Sequence, residues 1–547
     1  MIPIDRNSIR ILLILTLLPA LLYINGIGIG FLIDDAIIID TNTRPLLTEG
    51  PLSIFAKGEK FQSIDLPYYR PVMELSFYFD RTLWGKNPVA FHITNILFHT
   101  LNTLLVFALA SSLIGGRVIP LLAGLFFAVH PVHTESVDLI QGRSDLLTSL
   151  FFLSSLILFI QFVHRSTEKG SPFLYAASLV TCILALLTKE MAATLPLMLL
   201  LYSILFRKPA QIRGRSVSPW LLCAPFFVLL GLYLWLRVSI LGVPSIPANL
   251  GSPLLPRLLL IPETFTTYIK LLIWPFSLTF LHSLPSPHSP SDPRFFLPLT
   301  LFSFLITGAA LLYRWSKEAS FGALWIFIAL LPVSNLVPIE GFVLAERYLY
   351  IPSVGFTILG ALVAGRALRS DIPTWGKGLV GVTIGAILIV FSSATIWRNN
   401  QWSDQLGIYQ EMVEASPNSS FAHNNLALQY LERGKVDEAI VHLKRAVALD
   451  PNYAIAHNNL GVAHFRKGLP AEAAQAYRRA IQLNPRYAEA YNNLGVLFEE
   501  SGRIHEAEIH YRKALQIDPH FTRAIDNLAR LTGRAPSRSS AHAPETR

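Results

Sequence analysis

The 547 residues predict an all-α protein in two parts, a polytopic membrane bundle of about 11 spans followed by a helical repeat solenoid. Three observations carry that prediction. Hydrophobic residues make up 52% of the chain and charged ones 15%, against roughly a quarter charged in soluble proteins. Mean hydropathy is +0.45, which excludes an ordinary soluble enzyme. Uncharged runs recur up to about residue 400, many close to the ~20 residues needed to cross hydrocarbon. Beyond Trp402 the sequence turns polar, Ala-rich and helical in period.

Taken in order, the apolar runs are 11–33, 87–116, 118–129, 146–163, 171–188, 191–206, 219–236, 295–313, 319–339, 348–365 and 379–397. The first follows Arg6 and Arg10 but is too long for the core of a cleaved signal and lacks a small-residue cleavage site, so it reads as a retained helix. Segment 258–281 carries Pro262, Glu263, Lys270 and Pro275, and parity decides its status. Four connections are strongly basic: Arg6 to Arg10, Arg207 to Arg215, Arg314 to Lys317 and Arg366 to Lys377. Basic connections face the cytoplasm, and all four do so only if 258–281 does not cross. It is therefore expected as an interfacial or re-entrant helix. The net charge of +9 then reports orientation and no nucleic-acid contact. Odd parity places everything after Trp397 on the outer side. Cys182 and Cys223 lie inside apolar runs and supply no disulfide framework or metal cluster.

Pro417, Pro451, Pro485 and Pro519 stand 34 residues apart, as do Asn424-Asn425-Leu426, Asn458-Asn459-Leu460, Asn492-Asn493-Leu494 and Asp526-Asn527-Leu528. A fixed period of that length is a repeat array. Gly434, Gly468 and Gly502 mark the turn between two helices of each unit. Gly461, Ala473, Ala480 and their counterparts Gly495, Ala507 and Ala514 sit where the helices approach closely. The pattern resembles the tetratricopeptide repeat, with units at about 417–450, 451–484 and 485–518, a capping helix, and 405–415 as leading cap. The predicted domains are thus 1–400 and 401–533, with a disordered tail at 534–547. Such arrays bind extended peptides or partner helices. Asn424, Asn458 and Asn492 are expected to face the groove and clamp peptide amides; a rigid spacer or dimer contact is the bland alternative.

Ionisable residues at the ends of apolar helices are costly and mark function. On the 11-span topology Asp34 and Asp35, Arg70, the stretch His130, His133, Glu135, Arg143 and Asp145, the pair Lys189-Glu190 and the pair Glu346-Arg347 share the outer face. That set suits an anionic lipid headgroup. Sugar transfer from a polyprenyl phosphate needs a carboxylate to take the acceptor proton and cations for the departing phosphate. Asp34 or Asp35 can serve as base, and Arg70, Arg143, Lys189 and Arg347 can bind phosphate. Solvated loop charge, an ion pair fixing the helix after Arg347, and a Lys189 that snorkels are the competing readings. Pro131 breaks the helical spacing of His130, His133 and Glu135 and no third ligand is evident, which disfavours zinc. A divalent cation held between Asp34, Asp35 and a lipid phosphate is the alternative metal reading.

Several blocks in order, followed by the repeats, resemble the transmembrane and tetratricopeptide repeat family of protein O-mannosyltransferases, in a bacterial relative. They are F-L-I-D-D-A at 31–36, Y-R-P at 69–71, H-P-V-H-T-E-S-V at 130–137, G-R-S-D-L-L at 142–147, T-K-E-M-A-A-T-L-P at 188–196, L-P-V-S-N-L-V-P at 331–338 and A-E-R-Y-L-Y-I-P at 345–352. The resemblance implies a C-type glycosyltransferase fold, a lipid-phosphate sugar donor, and a first-loop acidic motif as base, which maps onto Asp34-Asp35 with the first acid favoured. The expected function is transfer of a mannose-like sugar to a Ser or Thr hydroxyl of an exported protein recruited by the repeats. The preferred location is a bacterial inner membrane with site and repeats on the periplasmic side, or the lumen of the endoplasmic reticulum in a eukaryote. A non-catalytic membrane scaffold, and a transferase acting on lipid or polysaccharide, are the rival expectations.

Overall fold

The computed structural model describes residues 5–32, 35, 39, 50–55, 59–60, 67–166, 171–206, 210–212, 215–241, 254–282, 284, 292–336, 344–519 and 521–533. Asp34 and the tail 534–547 lie outside the described residues. The chain divides into two compact units, one ending at Ser403 and one running on from Asp404.

In the first unit, α1 (Arg6–Tyr23) begins where the Asp5 carboxylate accepts the Ser8 N–H, an N-cap that satisfies one of the free donors of the first turn. Proline at the first helical position opens α2 (Pro71–Trp84) and α3 (Pro88–Ile114), where its missing N–H costs nothing. Then follow α4 (Val118–Val129), α5 (Thr134–Asp138), α6 (Arg143–His164), α7 (Ser171–Leu186), α8 (Leu195–Phe206), α9 (Pro219–Leu222), α10 (Ala224–Leu241), α11 (Leu254–Ile273), α12 (Pro293–Leu311), α13 (Lys317–Leu330), α14 (Tyr350–Arg369) and α15 (Thr374–Ser403). Two short antiparallel ribbons, 59–60 with 67–68 and 210–212 with 215–217, decorate the loops.

Among the described residues seven helices are long and apolar enough to cross a membrane, and an eighth if α4 and the following turn, bent by 54°, count as one span. Segments 171–188, 191–206 and 319–339 are helical but shorter, over Ser171–Leu186, Glu190–Phe206 and Lys317–Leu330. The eleven-span reading requires these to count as well. Segment 258–281 contains the continuous helix α11, which buries Leu259, Phe265, Tyr268 and Leu272 and carries Glu263 and Lys270.

The buried side of α3 carries His92, Asn95, His99 and Asn102, spaced three and four residues apart and so on one helical face. Packed against α4 and α6, these side chains bond inward: Asn95 donates to the Val137 and Leu139 carbonyls, Asn102 to Leu146 O at 2.9 Å, and His99 Nδ1 lies 2.7 Å from the Tyr350 hydroxyl. Helices α13 and α14 cross at Gly322 and Gly355, where a Cβ on Gly355 would overlap the Gly322 carbonyl oxygen. Backbone contact of that kind is how small residues drive helix association in lipid.

The second unit runs from α16 (Gln405–Ala415) through three helix pairs, α17 (Ser420–Glu432) with α18 (Val436–Leu449), α19 (Ala454–Arg466) with α20 (Pro470–Leu483) and α21 (Ala488–Glu500) with α22 (Ile504–Ile517), to α23 (Thr522–Leu531). Gly434, Gly468 and Gly502 have φ of 72°, 78° and 74°, the left-handed turn that favours glycine at a helix end. At Gly461 an added Cβ would lie 2.6 Å from the Tyr477 ring, and at Gly495 2.7 Å from that of Tyr511. Each aromatic of the second helix therefore seats on a glycine of the first.

Candidate functional site

Four ion pairs on three carboxylates converge where the broken ends of α5, α6, α7 and α14 meet. Lys189, in the turn after α7, places Nζ 2.7 and 2.6 Å from the two oxygens of Asp145 in the first turn of α6. Arg347, just before α14, reaches Glu135 of α5 at 2.6 Å, and its own backbone N–H donates to the same carboxylate at 2.8 Å. Arg70, before α2, lies 3.0 Å from Glu190, and Arg237 of α10 lies 3.2 Å from the other Glu190 oxygen. The Tyr348 ring joins the first two pairs, with Lys189 Nζ 5.2 Å and Arg347 Cζ 5.5 Å from its centroid, a cation–π geometry.

Burial grades across this cluster. Glu135, Asp145 and Lys189 are sealed, while the side chains of Arg347, Arg70, Arg237 and Glu190 keep 14, 18, 19 and 25% of their surface. The open end therefore consists of arginines around one glutamate, the arrangement that can admit an anion. Desolvation pulls the Lys189 ammonium down to about 8, ahead of the opposing attraction of Asp145. Glu346, also placed in this set by sequence, is fully buried and turned elsewhere: it accepts the Thr279 N–H and lies 3.2 Å from His282 Nε2, tying down the loop after α11.

The remaining expected residues take other places. Arg143 is fully buried; its guanidinium meets Asp80 at 2.6 Å, Asn95 Oδ1 at 2.9 Å and Phe91 O at 2.9 Å, under the rings of Phe77 and Phe91. A fork so occupied holds α2, α3 and α6 together, which corrects its assignment as a phosphate ligand. His130 Nε2 lies 3.0 Å from Leu272 O and His133 Nε2 2.9 Å from Ser353 Oγ, so both histidines join helices. Asp35 is buried, and its carboxylate accepts the N–H groups of Leu32, Gln141 and Ile140 at 3.1, 3.0 and 3.4 Å. A carboxylate surrounded by donors anchors the first loop and does not suit a cation. Among the described residues no three His, Cys, Asp or Glu side chains are arranged to hold a metal ion.

In the repeats, Asn424, Asn458 and Asn492 are buried, and each carboxamide oxygen accepts from the next repeat: from Asn459, Asn493 and Asn527 at 2.9, 3.0 and 3.0 Å. This amide ladder stitches successive units together and occupies the oxygens expected to clamp a peptide.

Sequence reasoning missed Arg237, Tyr348 and Asp80. Arg237 carried a usable signal, a lone cation at the end of the otherwise uncharged run 219–236, where an ionisable side chain is a functional candidate. Asp80 carried none, because its partner lies 63 positions away with three helices between them.

Fold and site define a polytopic helical membrane protein with a charged, partly open cluster at the ends of its helices, continued in sequence by a tetratricopeptide array. Family models described as tetratricopeptide repeats match residues 408–441, 427–468, 471–502 and 488–521. The homologues are protein O-mannosyl-transferases. One from Caenorhabditis elegans, F38B6.6, is 29% identical over 81% of this chain and 63% of its own length. Human TMTC1 is 30% identical over 70% of this chain and 48% of its own, and human TMTC4 28% over 75% and 62%. The chain thus spans about half to two thirds of the curated relatives it matches. Among solved structures, the crystal structure of MamA is 31% identical over 25% of this chain and 75% of that one, with a TM-score of 0.23. The first repeat domain of human RPAP3 is 25% identical over 22% and 93%, with a TM-score of 0.21.

Proposed function

We propose that the chain is a membrane glycosyltransferase that moves a mannose-like sugar from a polyprenyl-phosphate donor to a Ser or Thr hydroxyl of an exported protein, which the repeats recruit. The observation that carries this reading is the cluster of Arg70, Lys189 and Arg347, delivered by separate connections and graded from sealed to open. The names of the relatives, protein O-mannosyl-transferases, support it.

The acceptor oxygen attacks the anomeric carbon, and the bond from that carbon to the phosphate oxygen breaks. The electron pair leaves on the polyprenyl phosphate, whose charge the arginines and Lys189 stabilise. The acceptor proton passes to a carboxylate, for which Asp34 is the candidate because its neighbour Asp35 is held by backbone amides. The reaction faces the periplasm of a bacterial inner membrane, or the lumen of the endoplasmic reticulum in a eukaryote.

The test is sugar transfer by the purified chain from mannosyl phosphoryl polyprenol to a Ser- or Thr-containing peptide. Asp34→Asn is expected to abolish transfer while the protein stays folded; wild-type rates in that variant would overturn the mechanism. Transfer to lipid or glycan but not to peptide would reassign the acceptor, and no transfer at all would favour a scaffold.

A further inference from the structure

The second helix of each repeat pair carries a recurrent feature that the asparagine ladder of the first helices does not involve. Lys444-Arg445 in α18, Arg478-Arg479 in α20 and Arg512-Lys513 in α22 stand 34 positions apart, and all six side chains are exposed. Leu443, Tyr477 and Tyr511 before the pairs, and Ala446, Ala480 and Ala514 after them, are buried. Each pair therefore leaves its helix at the same angle, and the stacking of units lines the three up along one side of the array. Arg512 lies 2.7 Å from Glu508; none of the other five makes an ion pair among the described residues. Arg445 and Lys513 reach only the neutral amide oxygens of Asn418 and Gln516, at 3.3 and 3.4 Å. Like charges held in register repel one another, so the stripe contributes nothing to the array itself and favours an anion from outside it.

Apolar side chains accompany the cations. Val441 and Ile509 occupy the same position of their units, one turn before the pairs, and are 65 and 51% exposed. A face of cations with aliphatic groups one turn away is that of a helix lying at a bilayer surface. A polypeptide partner would need acids spaced to match the repeat, whereas a bilayer offers anions at every spacing. Lipid is also within reach, since Asp404 alone separates α16 from α15, an apolar helix long enough to span a membrane.

We infer that the second helices of the array bind the anionic headgroups of a bilayer through the three dibasic pairs, with Val441 and Ile509 at the headgroup boundary. Such attraction is worth several-fold in affinity for each basic residue near the surface, and it weakens as ionic strength rises. The first helices are then left to meet a polypeptide.

The test uses the full-length protein in phosphatidylcholine vesicles with or without phosphatidylglycerol, carrying an environment-sensitive fluorophore on Ile509→Cys. Cys182 and Cys223 are buried, which leaves the introduced thiol as the reactive one. A blue shift, with quenching by spin-labelled lipid, is expected only in the vesicles that contain phosphatidylglycerol. It should reverse at about 0.5 M salt, where the Debye length is roughly 4 Å. Exchanging all six cations for Gln should abolish the shift, and Arg478→Gln with Arg479→Gln should reduce it by about half or more. If the six-fold variant does not fold, the double variant and the salt dependence of the otherwise unaltered chain decide. An equal shift in neutral vesicles, a shift insensitive to salt and to the substitutions, or no shift under any condition overturns the inference. A shift produced in neutral vesicles by added polyglutamate, and not by phosphatidylglycerol, overturns it in favour of an acidic polypeptide.

Discussion

Arg347 meets Glu135 twice, by its backbone N–H at 2.8 Å and by its guanidinium at 2.6 Å, and Glu135 is fully buried. Residues 212 positions apart are thereby locked in both main chain and side chain. The double contact fixes the turn before α14 against α5, and with it the Tyr348 ring on which Lys189 also rests. One carboxylate thus holds Arg347, one of the cations proposed for phosphate, and steadies the ring on which a second, Lys189, rests, a supporting layer for the proposed site.

Glu135→Gln keeps the shape of that carboxyl group but removes the charge opposing Arg347. A mostly buried guanidinium without its counter-charge costs about 3 kcal/mol. The full-length variant is expected to unfold at a clearly lower temperature in detergent than the wild type. Pairing Glu135→Gln with Arg347→Met should recover much of that stability without recovering transfer, because the carboxamide oxygen still accepts the backbone N–H of residue 347. A single variant as stable as the wild type would show that the pair contributes nothing to the fold.

Asp35→Asn should separate anchoring from catalysis. The amide group of the new side chain cannot accept the backbone N–H groups that now meet both carboxylate oxygens, and a donor left facing donors costs about 1–3 kcal/mol. Lower thermal stability is expected for Asp35→Asn, and unchanged stability with lost transfer for Asp34→Asn. Measuring unfolding and transfer on the same two samples decides, and an Asp35→Asn protein with full stability but no transfer would exchange their roles.

Much of this molecule was legible in the sequence because two of its signals are periodic or compositional. A 34-residue period and uncharged runs survive without knowledge of contacts, and they placed the membrane helices and the array. Lys189, Glu135, Arg347, Arg70 and Asp145 stand out in the sequence because charges at the ends of apolar helices are conspicuous. Arg143 looked equivalent to them, and only its contacts with Asp80, Asn95 and Phe91 reveal an internal tie. The asparagines of the repeats show the same limit: their recurrence is visible, whereas a bond between one asparagine and the partner 35 positions on belongs to the stacking of units.

The ladder makes its own forecast. Asn459→Ala removes the donor to Asn424 and leaves that buried oxygen unsatisfied, at a cost of about 1–3 kcal/mol. Gly461→Ala places a methyl group against the Tyr477 ring, with an added Cβ 2.6 Å away, and overpacking of this kind costs about 1–3 kcal/mol. Hydrogen exchange on the full chain should show faster opening of α17, α19 and α20 in both variants, with the membrane helices unchanged. Protection equal to the wild type in the Asn459→Ala array would reduce the ladder to an incidental contact.

Lys189 supplies a pH dependence in which activity and stability move in opposite directions. Burial holds its ammonium down to about 8 in the folded protein, whereas an unfolded lysine stays charged to ~10.4. Between those values the unfolded chain binds more protons, so this group makes the folded state more stable as pH rises. The positive charge near the phosphate is lost over the same interval. Transfer is therefore expected to decline above about pH 8 with no matching fall in unfolding temperature attributable to this lysine. Lys189→Arg keeps its charge across that range and should carry the alkaline limb upward, provided the bulkier fork still reaches Asp145. A limb that stays in place in a folded, active Lys189→Arg protein would assign the titration to another group.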